Sequence, residues 1–272
     1  MLRGPITLTT DFGTNDHFVG VMKGVILGIS PRARIVDITH EVPPQDVNDG
    51  AFAIAQAWRY FPKGSIHVVV VDPGVGSARR PILCEAEGQF FIAPDNGVLS
   101  MIYDGSRHKV RVISNEELFL KKVSKTFHGR DVFAPAAAHL SKGLAPTQFG
   151  KPIHDFLRNF LLKPTRLSRH DWSGAVLKVD RFGNLITNFH VDEFPDVAKY
   201  PLELRVGLQR ITALVTTFAD AMIGELIAFV GSSGYIEVAV NRGSAAKSLA
   251  VGAGSPVELE IFYDEISSSR LS

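Results

Sequence analysis

The chain has 272 residues, 45% of them hydrophobic, and its 29 basic and 28 acidic side chains leave a formal net charge of +1. That balance excludes the basic footprint of a nucleic-acid binder. The single cysteine, Cys84, excludes an internal disulfide and a thiolate metal cage, and no apolar run approaches the ~20 residues of a membrane span. The length admits one large domain or two ordinary ones. Cys84 reads as a small apolar filler. The opening stretch MLRGPITLTTDFG carries too few apolar residues before Asp11 for a signal peptide, so a soluble, cytoplasmic protein with no nucleic-acid or membrane partner is expected.

In chain order, ITLTT (6–10), RIVDI (34–38), SIHVVVV (65–71) and QFFIAP (89–94) read as strands, rich in β-branched and aromatic residues and bounded by Gly, Pro or Asp. Between them DHFVGVMKGVILGI (16–29) and VNDGAFAIAQAWRYF (47–61) carry apolar residues at helical spacing, and Pro31 and Pro62 follow their ends. Strand alternating with helix predicts an α/β N-terminal domain, residues 1–160, with a mostly parallel sheet and flanking helices. The stretch FLRNFLLKPTRLSRHDWSG is basic and poorly periodic, so 161–173 reads as a linker. Beyond it GAVLKVD, LITNFHV, LELRVG, TALVTTFA, LIAFVG, YIEVAV and SPVELEIF are seven short strands separated by turn residues. They predict an all-β C-terminal domain, residues 174–272, folded as a small antiparallel barrel or sandwich.

Ligands of an open parallel sheet bind beyond the carboxyl ends of its strands. Three polar clusters fall there: TTDFGTND offers Asp11 and Asp16, DPGVGSAR offers Asp72 and Arg79, and APDNG offers Asp95 and Asn96. Any one of these acids is as readily a turn former or helix cap; their convergence carries the signal. TFHGRDVFAP then sets His128, Arg130 and Asp131 within four residues, at a loop-to-helix junction where Gly129 lets backbone approach a ligand. GVGSAR fails as a dinucleotide fingerprint because Arg79 stands where the third glycine belongs, and no phosphate-cradling G-x-x-x-x-G-K-[ST] occurs. Asp11, Asp16, Asp72 and His128 are plausible hard-cation or zinc ligands, against which Arg79 competes for the Asp72 carboxylate. A metal-dependent nucleotidase or phosphatase is therefore one alternative, and a non-catalytic binding module is another.

Six stretches in order, TTDFGTND, VVVVDPGVGSARR, APDNGVLS, TFHGRDVFAPAAAHL, VDRFGNLITN and SSGYIEVAVN, resemble the SAM hydroxide adenosyltransferase family, relatives of the fluorinases and chlorinases. The resemblance spans nearly the whole chain. It implies an α/β domain followed by an all-β barrel, and a homotrimer with active sites where one subunit's N-terminal domain meets its neighbour's C-terminal domain. It also implies hydrolysis of S-adenosyl-L-methionine to adenosine and L-methionine by displacement at the ribose C5′, with no cofactor and no metal. The alternative on this side is a sensor that binds S-adenosylmethionine or adenosine without turning it over.

Residue by residue, the family's water-activating Asp, Arg and His match Asp72, Arg79 and His128. Asp72 and the His128–Gly129 pair stand where halide-using relatives differ, which implies water rather than halide. Asp11 matches the ribose-diol carboxylate, with Asp16, Thr14 and Asn96 beside it. Asp180 and Ser232 match positions that hold the methionine amino-acid group, and Phe182, Asn184 and Asn241 those around adenine. Gln45 replaces an aromatic over the pocket of the halide-using relatives, and Ser233 an arginine. From ordinary pKa values, Asp72 is expected to orient water, Arg79 to fix Asp72, and His128, at about 6.5, to accept the proton.

Overall fold

The computed structural model describes residues 4–159, 163–195, 197 and 199–263. Residues 160–162, where the N-terminal domain is expected to pass into the linker, lie outside the described residues. The chain divides into two compact units, 1–159 and 160–272. Among the described residues no helix is long and apolar enough to cross a membrane.

The first unit runs β1 (Ile6–Thr10), α1 (Phe18–Ile29), β2 (Ile35–Thr39), α2 (Val47–Ala57), β3 (Ile66–Val70), β4 (Pro81–Ala86), β5 (Gln89–Pro94), α3 (Ser100–Asp104), β6 (His108–Val112), α4 (Ala134–Ser141) and β7 (Pro152–Ile153). Its seven-stranded sheet has the order β2-β1-β3-β5-β4-β6-β7. The first four are parallel neighbours, while β5, β4, β6 and β7 pair antiparallel. The sheet is thus mixed, and the expected mostly parallel sheet corresponds to one half of it. The other half comes from β4 and β6, whose sequences PILCEA and HKVRV carry weaker strand signals.

Strand β3 is buried on both faces because helices cover both. Ile66, Val68 and Val70 pack in one core with Met22 and Ile26 of α1 and Phe133 and Ala137 nearby, whereas Val69 enters a second core with Ile54 and Trp58. Alternation at period 2 delivers successive valines to opposite sides. On α1 the buried Val19, Met22 and Ile26 recur at three and four residues, one helical stripe. Helix α2 starts at the cap Asp46, whose Oδ1 accepts from the Asp49 N–H at 3.0 Å. His67 shares the interior: its Nδ1 meets the Thr7 hydroxyl and its Nε2 the Gln89 side chain, each at 2.7 Å. Burial pushes its pKa down to about 4, partly opposed by the Gln89 bond. Cys84 is fully buried, and burial, then the Glu85 charge, raise its thiol pKa.

The second unit contains β8 (Thr165–Arg166), β9 (Asp171–Val179), β10 (Leu185–His190), β11 (Leu202–Val206), β12 (Gln209–Ile211), β13 (Leu214–Val215), β14 (Leu226–Val230), β15 (Tyr235–Val240), α5 (Ala245–Leu249) and β16 (Pro256–Ile261). Its nine strands form one sheet, β12-β11-β16-β9-β10-β15-β14-β13, with β8 added against β9. Pairing is antiparallel except between β13 and β14. The sheet encloses a core that includes Leu185, Phe189, Ile236, Val238, Val257 and Leu259. The expected strand TALVTTFA shrinks to the two residues of β13 followed by a 3-10 turn at Phe218–Asp220, where Thr217 caps the turn by accepting from the Ala219 N–H. Helix α5 adds helical structure to a domain expected to be all β.

Candidate active site

Strands β1 and β3 are parallel neighbours, so the loops leaving Thr10 and Val70 emerge on one edge of the sheet. A pocket of about 350 Å³ opens there, in the first unit alone, with Asp11, Asp72 and His128 in its wall. Burying a valine or isoleucine contributes about 1.5–3 kcal/mol, against about 0–1 kcal/mol for an exposed ion pair. The apolar strands therefore set where these loops begin, and the polar contacts set where their side chains point.

The turn from Asp72 to Arg79 folds back on itself: the Val75 N–H donates to the Asp72 carbonyl and the Ser77 N–H to the Gly74 carbonyl. Gly76 has φ +78°, and a Cβ there would overlap the Lys125 carbonyl. Only glycine combines that φ with that approach, and the approach sets the turn against the segment leading to His128. Arg79 then reaches back to Asp72, its Nε donating to Oδ1 at 3.0 Å and its Nη2 to Oδ2. The two side chains are only 8% and 5% exposed. The same Nη2 donates to His128 Nδ1 at 2.8 Å, and the guanidinium lies 5.1 Å from the centre of the Phe133 ring.

That contact fixes the state of the imidazole. A guanidinium has donors only, so His128 Nδ1 is the acceptor and the neutral ring carries its hydrogen on Nε2. Burial, then the Arg79 charge, push the His128 pKa below its ordinary value, against the pull of Asp72, Asp131 and a hydrogen bond to the Ser124 backbone. Gly129 sits tightly among Met22, Phe12 and Phe127, each about 3.2 Å from where a Cβ would stand. It opens a π-helical turn, Gly129–Phe133, that leads into α4.

Asp11 receives the Gln45 N–H on Oδ2 at 2.8 Å, and Gln45 adopts φ +66° on the pocket rim. Phe12, Phe18 and Phe127 complete an aromatic wall, with ring centres 5.9, 5.8 and 5.1 Å apart pairwise. These three were not singled out from sequence, although Phe12 and Phe127 lie inside the TTDFG and TFHG stretches that were.

The other predicted residues fall elsewhere. Asp16 is exposed and outside the pocket wall, and Thr14 donates to Glu41 at 3.2 Å. Asn96 spends its amide on the Val71 carbonyl at 2.8 Å and accepts from the Val98 N–H, bracing the ends of β3 and β5. Asp95 is buried in a pair with Arg80 and accepts from the Leu157 N–H. Asp131 is buried against Arg130 and the Ser124 N–H. Burial would raise its pKa, but those hydrogen bonds outweigh it and hold the carboxyl below the ordinary range.

Within the second unit, Asp180 organises its own turn. Its Oδ1 accepts from the Phe182 and Asn184 N–H groups and its Oδ2 from the Asn184 side-chain amide, leaving the Phe182 side chain 77% exposed. Ser232 is exposed in the turn before β15. Asn241 donates to the Ala221 carbonyl at 2.8 Å. Among the described residues, no three His, Cys, Asp or Glu side chains come together as a metal ion would need.

Comparison with known proteins bears on both units. The family model described as the SAM hydroxide adenosyltransferase N-terminal domain matches residues 6–150, and the C-terminal domain model of the same family matches 174–258. The (R)-S-adenosyl-L-methionine hydrolase of Thermus thermophilus is 37% identical over 268 residues, covering 94% of this chain and 99% of the relative. The enzyme of the same name from Salinispora tropica is 40% identical over 255 residues, 92% of this chain and 95% of the relative. The crystal structure of an uncharacterized conserved protein from Thermotoga maritima superposes with a TM-score of 0.85 at 39% identity, covering 93% of this chain and 99% of that one.

Proposed function

This chain belongs to the SAM hydroxide adenosyltransferase family, and we propose that it hydrolyses S-adenosyl-L-methionine to adenosine and L-methionine, with water attacking the ribose C5′. The observation that carries this reading is the continuous Asp72, Arg79 and His128 chain in a pocket that also holds Asp11.

The chemistry divides unevenly. As oxygen bonds to C5′, the C5′–S bond breaks and its electron pair leaves on sulfur, so methionine departs as a neutral thioether and needs no general acid. One proton is lost from the attacking water, whose bulk pKa is about 15.7. Fixing that water in line with the C–S bond is worth roughly 7–11 kcal/mol in well-oriented systems. The Arg79 to His128 bond supports a different division of labour from the one expected from ordinary pKa values. The basic lone pair of His128 is held by Arg79, so the neutral ring is not the base, and with its Nε2–H drawn to the Ser124 backbone it braces Arg79 beside the water. Asp72 then accepts the proton on a lone pair that Arg79 leaves open, and Arg79 aligns both partners. Asp11, with one oxygen free of Gln45, accepts from the ribose hydroxyls, and the aromatic wall excludes bulk water.

In this reading the first unit is an α/β catalytic domain, the second a β-barrel, and residues 161–173 join them in a cytoplasmic homotrimer. Asn96 supports the pocket from behind by bracing the ends of β3 and β5, and Asp16 stands exposed outside its wall. Asp180, Phe182, Asn184, Ser232 and Asn241 act on the neighbour's substrate, a role supported by the exposure of Phe182 and Ser232. No cofactor enters the mechanism.

Incubation with S-adenosylmethionine tests the function. Equal amounts of adenosine and methionine are expected, unchanged by a chelator and with no 5′-chloro product in added chloride. Asp72→Ala and His128→Ala should each lower turnover more than about tenfold while leaving the fold intact. Chelator-sensitive turnover would point to a metal-dependent hydrolase, and binding without turnover to a sensor.

A further inference from the structure

Asp11 stands on a loop, and that loop is held by a histidine the mechanism above does not use. His40 directly follows β2, the edge strand of the first sheet. The β1–β2 register shifts between Leu8 and Thr9, and His40 comes to lie against the end of β1. There it grips the Asp11 loop on both sides: its Nδ1 meets the Thr10 hydroxyl at 2.8 Å, and its carbonyl accepts from the Gly13 N–H at 2.7 Å. Its Nε2 lies 3.1 Å from Asp37 Oδ1, while Lys23 donates to Asp37 Oδ2 at 2.6 Å. Burial would raise the Asp37 carboxyl, but Lys23 and His40 outweigh it and hold the group below its ordinary range.

These contacts run in one direction. An ionised carboxylate only accepts, so the neutral His40 ring carries its hydrogen on Nε2, facing Asp37, and its Nδ1 accepts from the Thr10 hydroxyl. The Thr10 oxygen in turn accepts from the Phe12 N–H at 3.3 Å. Thr10 is fully buried and His40 is 5% exposed, so neither exchanges its partner for water, and a buried polar group left unpaired is costly. Five residues beyond His40, the Gln45 N–H fixes Oδ2 of Asp11 itself. The 40–45 segment thus sets both the backbone and the carboxylate of Asp11.

We propose that His40 is a positioning residue for the ribose of the substrate. It is not part of the pocket wall; it acts through Thr10 and Gly13, which flank Asp11 and aim its free oxygen at the ribose hydroxyls. The inference rests on the proposed binding of ribose by Asp11. A histidine that merely tied β2 to β1 would affect every substrate alike. One that places Asp11 affects only a substrate that carries the hydroxyls.

Steady-state kinetics on the full chain decide the matter, using S-adenosylmethionine and its 2′,3′-dideoxy analogue. His40→Ala, and Thr10→Val, which deletes the hydroxyl at nearly constant shape, should each raise KM for S-adenosylmethionine about tenfold with a smaller change in kcat. Neither should alter KM for the analogue, so the preference for the hydroxylated substrate shrinks toward that of Asp11→Ala. His40→Asn, whose side-chain oxygen takes the place of Nδ1 as acceptor, should restore most of the preference. Should His40→Ala fail to fold, Thr10→Val and His40→Asn carry the test. An equal KM increase for both substrates, or a lower Tm with the preference unchanged, overturns the proposal. Equal use of both substrates by the wild type removes the ribose role of Asp11 and the proposal with it. Should the wild type form no adenosine, the hydrolase reading falls, and calorimetric binding of adenosine and 2′,3′-dideoxyadenosine to wild type, Thr10→Val and His40→Asn still decides the role of His40.

Discussion

Arg79 serves two partners with one guanidinium: it grips both oxygens of Asp72 and donates to His128 from the same Nη2. Lysine carries the charge but not the planar fork. Arg79→Lys should therefore fold normally, by circular dichroism, yet lose about a hundredfold or more in kcat with a smaller change in KM; retention of most of the kcat would show that charge alone suffices. The same contact sets a pH limb. His128 titrates below its ordinary 6.5 because it is buried beside a cation, so it is neutral at pH 7. As pH falls through its lowered pKa, protonation takes away the acceptor and sets two cations against each other. Turnover should fall on that acid limb in the wild type, and His128→Asn should flatten it. Stability carries the same sign: the unfolded chain binds this proton at higher pH, so acid costs the folded state. His67, a buried histidine outside the site, is satisfied between Thr7 and Gln89, and a sequence shows no such difference in partners.

At the scale of elements, the decisive feature is a loop contact rather than a helix or strand. Gly76, at φ +78° and with the Lys125 carbonyl where a Cβ would stand, lets the Asp72–Arg79 turn close on the His128 segment. Gly76→Ala should cost on the order of 1–3 kcal/mol, seen as a lower Tm, and should lower kcat by pulling Asp72 away from His128. An unchanged Tm with unchanged kcat would remove this contact from the argument. The motif glycines were legible in the sequence, as were β1 and β5 to the residue and the starts of α1 and α2 within two residues. What escaped was the antiparallel half of the sheet. The β4–β5 hairpin turns at Glu87 and Gly88, both at positive φ, where Asn-Gly or Asp-Gly would have announced a tight turn. Strand β6, HKVRV, opens on two polar residues and alternates over only its last four positions. The aromatic wall was hidden for a different reason: Phe127 meets Phe12 and Phe18 from more than a hundred residues further along the chain, a convergence that no local pattern encodes.

At the scale of the whole molecule, the proposed function divides its residues between the two units. The Asp72, Arg79 and His128 chain is complete within the first unit, while Asp180, Phe182 and Ser232 belong to the second. In a cyclic trimer each site would draw its first-unit residues from one subunit and its second-unit residues from the next, a head-to-tail arrangement that closes after three copies. That arrangement makes a quantitative prediction for mixed subunits. Asp72→Ala lacks only the water-activating half, and Phe182→Ala, which removes an exposed side chain, only the half proposed to hold adenine. When the two inactive or weakened proteins are unfolded together, refolded in equal amounts and assayed at low substrate, one interface in four pairs an intact first unit with an intact second unit. Activity should return to about a quarter of wild type, because the assortment of subunits around a closed ring is random. A site built within a single subunit admits no such rescue, so activity no higher than the mean of the two parents would rule out the shared site, whatever the oligomeric state measured by sedimentation.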